Sequence, residues 1–134
     1  MRAILFLKGR SLSIYTLAIG AGDKSEVRDF LEQEEPSIKG TLHGFRVAIE
    51  YLAVVGVAQM PSKIVKQFRP KKRSVMLHQI HKGDYRIACY HFGQLRRLLL
   101  ATVFPKDQRL QIQEYDRALS RIRDFLANPD WVEE

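Results

Sequence analysis

The residues of this chain that could do chemistry are cations and histidines, and most of them lie in its second half. From Pro61 to Arg109 there are twelve Lys or Arg residues and two acids, Asp84 and Asp107, whereas from Ala21 to Glu50 seven acids stand against four bases. Such polarity makes one face attractive to a polyanion; the plainer use of a net charge of +7 is solubility. Arg86 follows Tyr85 and alternates with Ile87. If Ile87 faces a core, Arg86 projects from the opposite face, where it can grip a phosphate or pair with an acid of the first helix. Lys106 and Arg109 follow Phe104-Pro105, at a strand end beside a helix start, where functional residues often sit. Lys63, Lys66, Arg69, Lys71, Lys72 and Arg73 form a run without a single acid, which serves either as a solvated linker or as a guide for phosphates.

Other chemistries find less support. The histidines His43, His78, His81 and His91 show neither HExxH nor clustered metal spacing. His78 and His81 belong to one strand, and their odd separation points them to opposite faces. No metal and no cofactor is expected. Gly20 and Gly22 precede a helix, but the lysine and serine of a P-loop do not follow. Cys89 is the only cysteine; it has no disulfide or zinc partner and reads as a small buried hydrophobe of a strand.

The elements that must position these residues follow from apolar periodicity. Ile4 to Leu7 and Leu12 to Ile19 form a hairpin around Lys8-Gly9-Arg10-Ser11. Asp23 or Ser25 caps a helix from about Lys24 to Glu34, with Glu26 and Asp29 near its positive end. Pro36 breaks it, and Leu42, Phe45, Ile49 and Leu52 mark a second helix that ends near Gly56. Lys63 to Arg73, broken by Pro70, reads as a connection or an edge strand and not as a core element. Val75 to Ile80, Tyr85 to Phe92 and Leu95 to Phe104 read as a three-stranded antiparallel meander, in which Leu98-Leu99-Leu100-Ala101 is apolar on both faces and therefore central. Tyr115, Leu119, Ile122 and Leu126 mark a helix from about Gln111 to Ala127, stopped by Asn128-Pro129. Segregated strands and helices point to an α+β class with a small antiparallel sheet.

A chain of 134 residues with 46% hydrophobic content is expected to fold as one domain, residues 1 to 134. Ala3 to Leu7 is too short for a signal-peptide core, and no segment approaches the ~20 apolar residues of a membrane span. The expectation is a cytoplasmic protein without a membrane partner.

Three pieces, in order along residues 12 to 127, carry a family resemblance. Asp23-Lys24-Ser25-Glu26-Val27-Arg28-Asp29-Phe30-Leu31, the strand Tyr85-Arg86-Ile87 ending in Tyr90-His91-Phe92, and Val103-Phe104-Pro105-Lys106 before a helix carrying Ala118 together resemble a HigB-type toxin of the RelE/ParE superfamily. The resemblance implies a RelE-like fold and a ribosome-dependent mRNA endonuclease, silenced by a cognate antitoxin; the ribosome and mRNA are then its other partners. It places Arg86 at the arginine of the family's "YR" strand and Lys106 at the basic residue ending the last strand. Two departures stand out: His81 occupies the place of a base in Leu77-His78-Gln79-Ile80-His81, with Gln79 replacing an acid, and Phe104-Pro105-Lys106 replaces a pair of basic residues.

Metal-independent RNA cleavage uses the adjacent 2′-OH as nucleophile, so the site must remove that proton, stabilise the phosphorane and protonate the leaving 5′-oxygen. On this reading Arg86 neutralises the phosphate charge, and Lys106 or a histidine, His81 or His91, moves protons. Lys63, Lys66, Lys71, Lys72, Arg73 and Arg109 hold the RNA backbone. Tyr115 is a stacking group, an acid or a core residue. The alternatives are a ParE-like gyrase inhibitor on the same scaffold, or a non-catalytic RNA-binding protein.

Overall fold

In the computed structural model, which describes residues 1–133, the hairpin and the meander merge into one sheet. Its seven strands are β1 (Arg2–Lys8), β2 (Ser13–Ala18), β3 (Val65–Phe68), β4 (Leu77–Lys82), β5 (Tyr85–Phe92), β6 (Arg97–Pro105) and β7 (Trp131–Val132). They lie in the order β3-β4-β5-β6-β2-β1-β7. The helices are α1 (Glu26–Glu32), α2 (Lys39–Val55) and α3 (Gln111–Ala127). The class is α+β as expected, but the sheet is larger than expected and mixed, not antiparallel throughout. β2 runs parallel to β6, from Ser13 opposite Arg97 to Thr16 opposite Leu100, and β7 runs parallel to β1. The remaining neighbours are antiparallel.

Local chemistry explains the helix ends. Ser25 accepts the Arg28 amide at 3.1 Å as the α1 N-cap, with Glu26 and Asp29 in the first turn. A 3-10 turn, Pro36–Ile38, leads into α2, and Gly56 closes that helix at φ +86°, a conformation that glycine adopts without a Cβ penalty. The α3 bounds match the sequence expectation. At the start of β6, Leu95 falls in a short turn and Arg96 takes a left-handed conformation, so this strand begins two residues later than its apolar pattern indicates.

The sheet separates two cores. On one face α1 and α2 bring Val27, Phe30, Leu42, Phe45, Ile49 and Leu52 onto Ile14, Ile80, Ile87, Leu98 and Leu100. On the other, α3 lays Tyr115, Ala118, Ile122 and Phe125 over Tyr15, Leu17, Leu99, Ala101 and Phe104. β6 is therefore covered on both sides, the physical reason for its unbroken apolar run. β3 is an edge strand, but the expectation that it stays outside the core is corrected: Val65 is buried on the α1/α2 face and Phe68 on the α3 face, against Phe104 and Tyr115.

Where β2 diverges from β6, side chains take the place of a neighbouring strand. Glu26 of α1 accepts the Val103 amide at 2.7 Å, and Arg117 of α3 donates to the Val103 carbonyl at 3.1 Å. The same carboxylate binds Arg117 at 2.7 Å and Arg121 at 3.0 Å. The α1 acid is thus engaged by α3 across the open edge of β6, and Arg86 has no such ion pair among the described residues. No helix among the described residues is long and apolar enough to cross a membrane.

Candidate functional site

Cross-strand pairing brings one group of the chemically capable residues together. His81 of β4 is the direct partner of Arg86 on β5, and Arg86 is the partner of Phe104 on β6. Phe104 is packed under α3, so strand alternation turns all three side chains to the α3 face. Lys66 of β3 joins the same face one step along the sheet, opposite Gln79. Lys106 continues from β6; its amide donates to the Asp84 carbonyl at 2.7 Å, which holds it beside the β4–β5 turn. Lys63, Ile64, Lys66, His81, Lys82, Gly83 and Arg86 line an open hollow of about 440 Å³ there.

Arg86 is 8% exposed, and its orientation is set by its own hairpin. Nη1 donates to the carbonyls of Gly83 at 3.0 Å and Tyr85 at 2.8 Å. Nε and Nη2 make no hydrogen bond among the described residues and are not sealed from solvent, which leaves them able to bind an anion. The turn that supplies these carbonyls is itself held. Gly83 sits at φ +53°, and a methyl group on it would meet Thr41 Oγ1 of α2 at 2.6 Å. Burial lowers the proton affinity of Arg86 from its ordinary value.

His81 lies within the field of these cations. Burial, followed by the charges of Arg86, Lys66 and Lys106, lowers its pKa to about 4. Its ring is consequently neutral at pH 7. Among the described residues Nε2 is buried without a partner, whereas Nδ1 is neither sealed nor hydrogen-bonded, so Nδ1 is the nitrogen left to take a proton. Two further polar atoms on this face are sealed and, among the described residues, unpartnered: Gln79 Oε1 and Thr102 Oγ1. They lie on either side of Ala88 in the next cross-strand row. Sequence reasoning missed Gln79, Thr102 and Gly83 as members of the site; a turn glycine three residues before Arg86 is the one local signal among them.

The other expected site residues lie elsewhere. His91 is corrected: it is five residues from Arg86 along β5, roughly 17 Å at ~3.4 Å per residue, and the odd count places it on the α1/α2 face. There its ring stands 6.4 Å from that of His78, and burial lowers the pKa of both. Arg73 is held by Asp116 of α3 in a two-pronged surface pair at 2.9 and 2.8 Å, with which a phosphate would have to compete. Arg109 is bound at 3.1 Å by Asp107 just before it. Lys71 and Lys72 are exposed in the turn beyond the far end of β3, away from His81. Tyr115 is buried and donates its hydroxyl to the Val75 carbonyl, a core role. Cys89 is buried, and burial pushes its thiol up to about 12, well outside the range of a reactive thiolate. Among the described residues no cluster of three or more His, Cys, Asp or Glu is arranged to hold a metal ion.

Comparison with family models, with curated proteins and with solved structures finds no match for this chain.

Proposed function

We propose that this protein is an endoribonuclease toxin of a toxin-antitoxin pair that cuts mRNA on the ribosome by metal-independent transesterification. The observation that carries the reading is His81 set directly opposite Arg86 and beside Lys66 at one open hollow, with the charge of Lys106 also acting on its ring. With its proton on Nε2, His81 presents the Nδ1 lone pair as the base that removes the 2′-OH proton. The alkoxide oxygen attacks phosphorus, and the free nitrogens of Arg86, with the Lys66 ammonium, neutralise the charge on the phosphorane oxygens. The Lys106 ammonium gives a proton to the departing 5′-oxygen, leaving a 2′,3′-cyclic phosphate and a 5′-hydroxyl. Lys63 extends the cationic track along β3. In the same reading a cognate antitoxin silences the site by covering Arg86 and Lys106.

The test is in vitro translation with mapping of mRNA 5′ ends. The wild type should stop translation and leave cut mRNA, and Arg86→Ala, Lys106→Ala and His81→Gln should each lower cleavage by about 10²- to 10⁴-fold. Translation stopped by variants as well as by wild type would overturn the assignment of residues. Intact mRNA with arrested gyrase would favour inhibition of the topoisomerase. Salt-sensitive RNA binding without any cut or growth arrest would leave a non-catalytic RNA-binding protein.

A further inference from the structure

The edge of the sheet beside the hollow is β3, and its backbone is unpaired along part of its length. The His81 amide donates to the Ile64 carbonyl at 2.7 Å, and the register then pairs Val65 with Ile80, Lys66 with Gln79 and Gln67 with His78. Ladder bonds alternate along an antiparallel pair, so the Ile64 carbonyl and the backbone groups of Lys66 and Phe68 turn to β4 while Val65 and Gln67 turn theirs outward; the Ile64 amide donates to the Pro61 carbonyl at 2.9 Å. The Val65 amide folds back onto the Pro61 carbonyl at 3.1 Å. The Gln67 amide and carbonyl have no partner among the described residues, and both Lys66 and Gln67 are exposed. Pro70 ends the ladder. An unpaired edge of this kind is a template for one more strand.

Side chains decide which strand it accepts. From Lys63 to Gly83 there is no acid, and Lys66 points to the α3 face, toward His81 and Arg86. A second copy of the chain would bring a like-charged edge against Lys66, which disfavours self-pairing. A strand with acids at alternate positions would instead set a carboxylate opposite Lys66, on the face of the hollow. Its intervening residues would lie on the face of Val65 and Gln67.

We propose that β3 is a docking edge for an extended, alternately acidic segment of a partner protein, which adds as an eighth strand and covers the cationic hollow with its carboxylates. The proposal rests on the reading of the hollow as an anion site and not on whether it cleaves RNA. Only a few backbone bonds are available, so charge supplies most of the selectivity.

The probe is a capped synthetic peptide alternating Glu and Val, titrated calorimetrically into the full chain at low ionic strength. Replacing Glu by Lys in the peptide should weaken binding about tenfold or more, and Lys66→Glu should reverse that preference. Methylating the amides of one alternate set of peptide residues should abolish binding, and methylating the other set should change it by about twofold or less, because only one side of the peptide bonds to the edge. Hydrogen exchange at the Gln67 amide should slow by about tenfold or more on saturation. Equal binding of both methylated peptides would reduce the interaction to unspecific charge attraction and overturn the proposal, as would no binding or unchanged exchange at Gln67. A chain that cleaves RNA yet ignores the peptide refutes the docking edge alone. One that binds the peptide but never cuts RNA refutes the nuclease alone.

Discussion

Acid should weaken this fold through His81, by an amount the site itself sets. In the unfolded chain the imidazole titrates near its ordinary 6.5; in the folded protein burial and the charges of Arg86, Lys66 and Lys106 bring it to about 4. Between these values the unfolded chain holds a proton that the folded chain lacks, so stability is lost as pH falls from about 6.5 toward 4 and the loss levels off below that. The gap is worth about 3.5 kcal/mol at ~1.4 kcal/mol per pH unit, and partial solvation of the ring reduces this to roughly 1–2 kcal/mol. Urea denaturation of wild type and His81→Gln at pH 7, 5.5 and 4.5 measures it. His78 and His91 are also lowered by burial, but they are common to both proteins and cancel in the difference. The wild type should lose about 1–2 kcal/mol more than the variant across this range. A 2′-deoxy oligonucleotide, which cannot be cleaved, should raise the His81 pKa by placing a phosphate among the cations. A flat difference between the two proteins, or an NMR titration of His81 centred near 6.5, would refute the reasoning.

Three further outcomes follow from the packing. Glu26→Gln should cost about 2–4 kcal/mol in urea denaturation, because it leaves Arg117 and Arg121 without their shared carboxylate at the β6 edge. Burial raises the Glu26 pKa, but hydrogen bonds from Arg117 and the Val103 amide outweigh it, and the net shift is downward. The wild type should therefore lose this contribution as pH falls through the carboxylate range, whereas Glu26→Gln should not. Gly9→Ala should lower the melting temperature by about 10 °C or more, since its methyl would meet the Ala53 carbonyl oxygen at 2.4 Å, and backbone must move. Tyr115→Phe should cost about 1 kcal/mol for the lost bond to Val75 and leave RNA cleavage unchanged; lost cleavage in a stable variant would return the phenol to the chemistry.

The type and order of the three helices, the first two strands and the meander were legible in the sequence because they depend on neighbours a few residues apart. The short β7 was not, and the sequence leaves β3 open between connection and edge strand. Ser25, Pro36 and Gly56 mark helix ends through their own backbone chemistry, and the leucines of β6 announce a strand covered on both faces. Strand alternation sufficed to turn Arg86 away from Ile87, and charge counting located the basic half. Only tertiary structure decided what those residues meet. Parallel pairing of β2 with β6, and of β7 with β1, joins segments far apart in the chain and leaves no local trace. For the same reason His81 and His91 look alike in the sequence, yet one faces Arg86 and the other lies with His78 beyond the sheet plane. Which acid claims which base is likewise a matter of distance in space: α3 supplies Asp116 to Arg73 and draws Glu26 to Arg117, while Arg86 keeps two nitrogens free at the hollow.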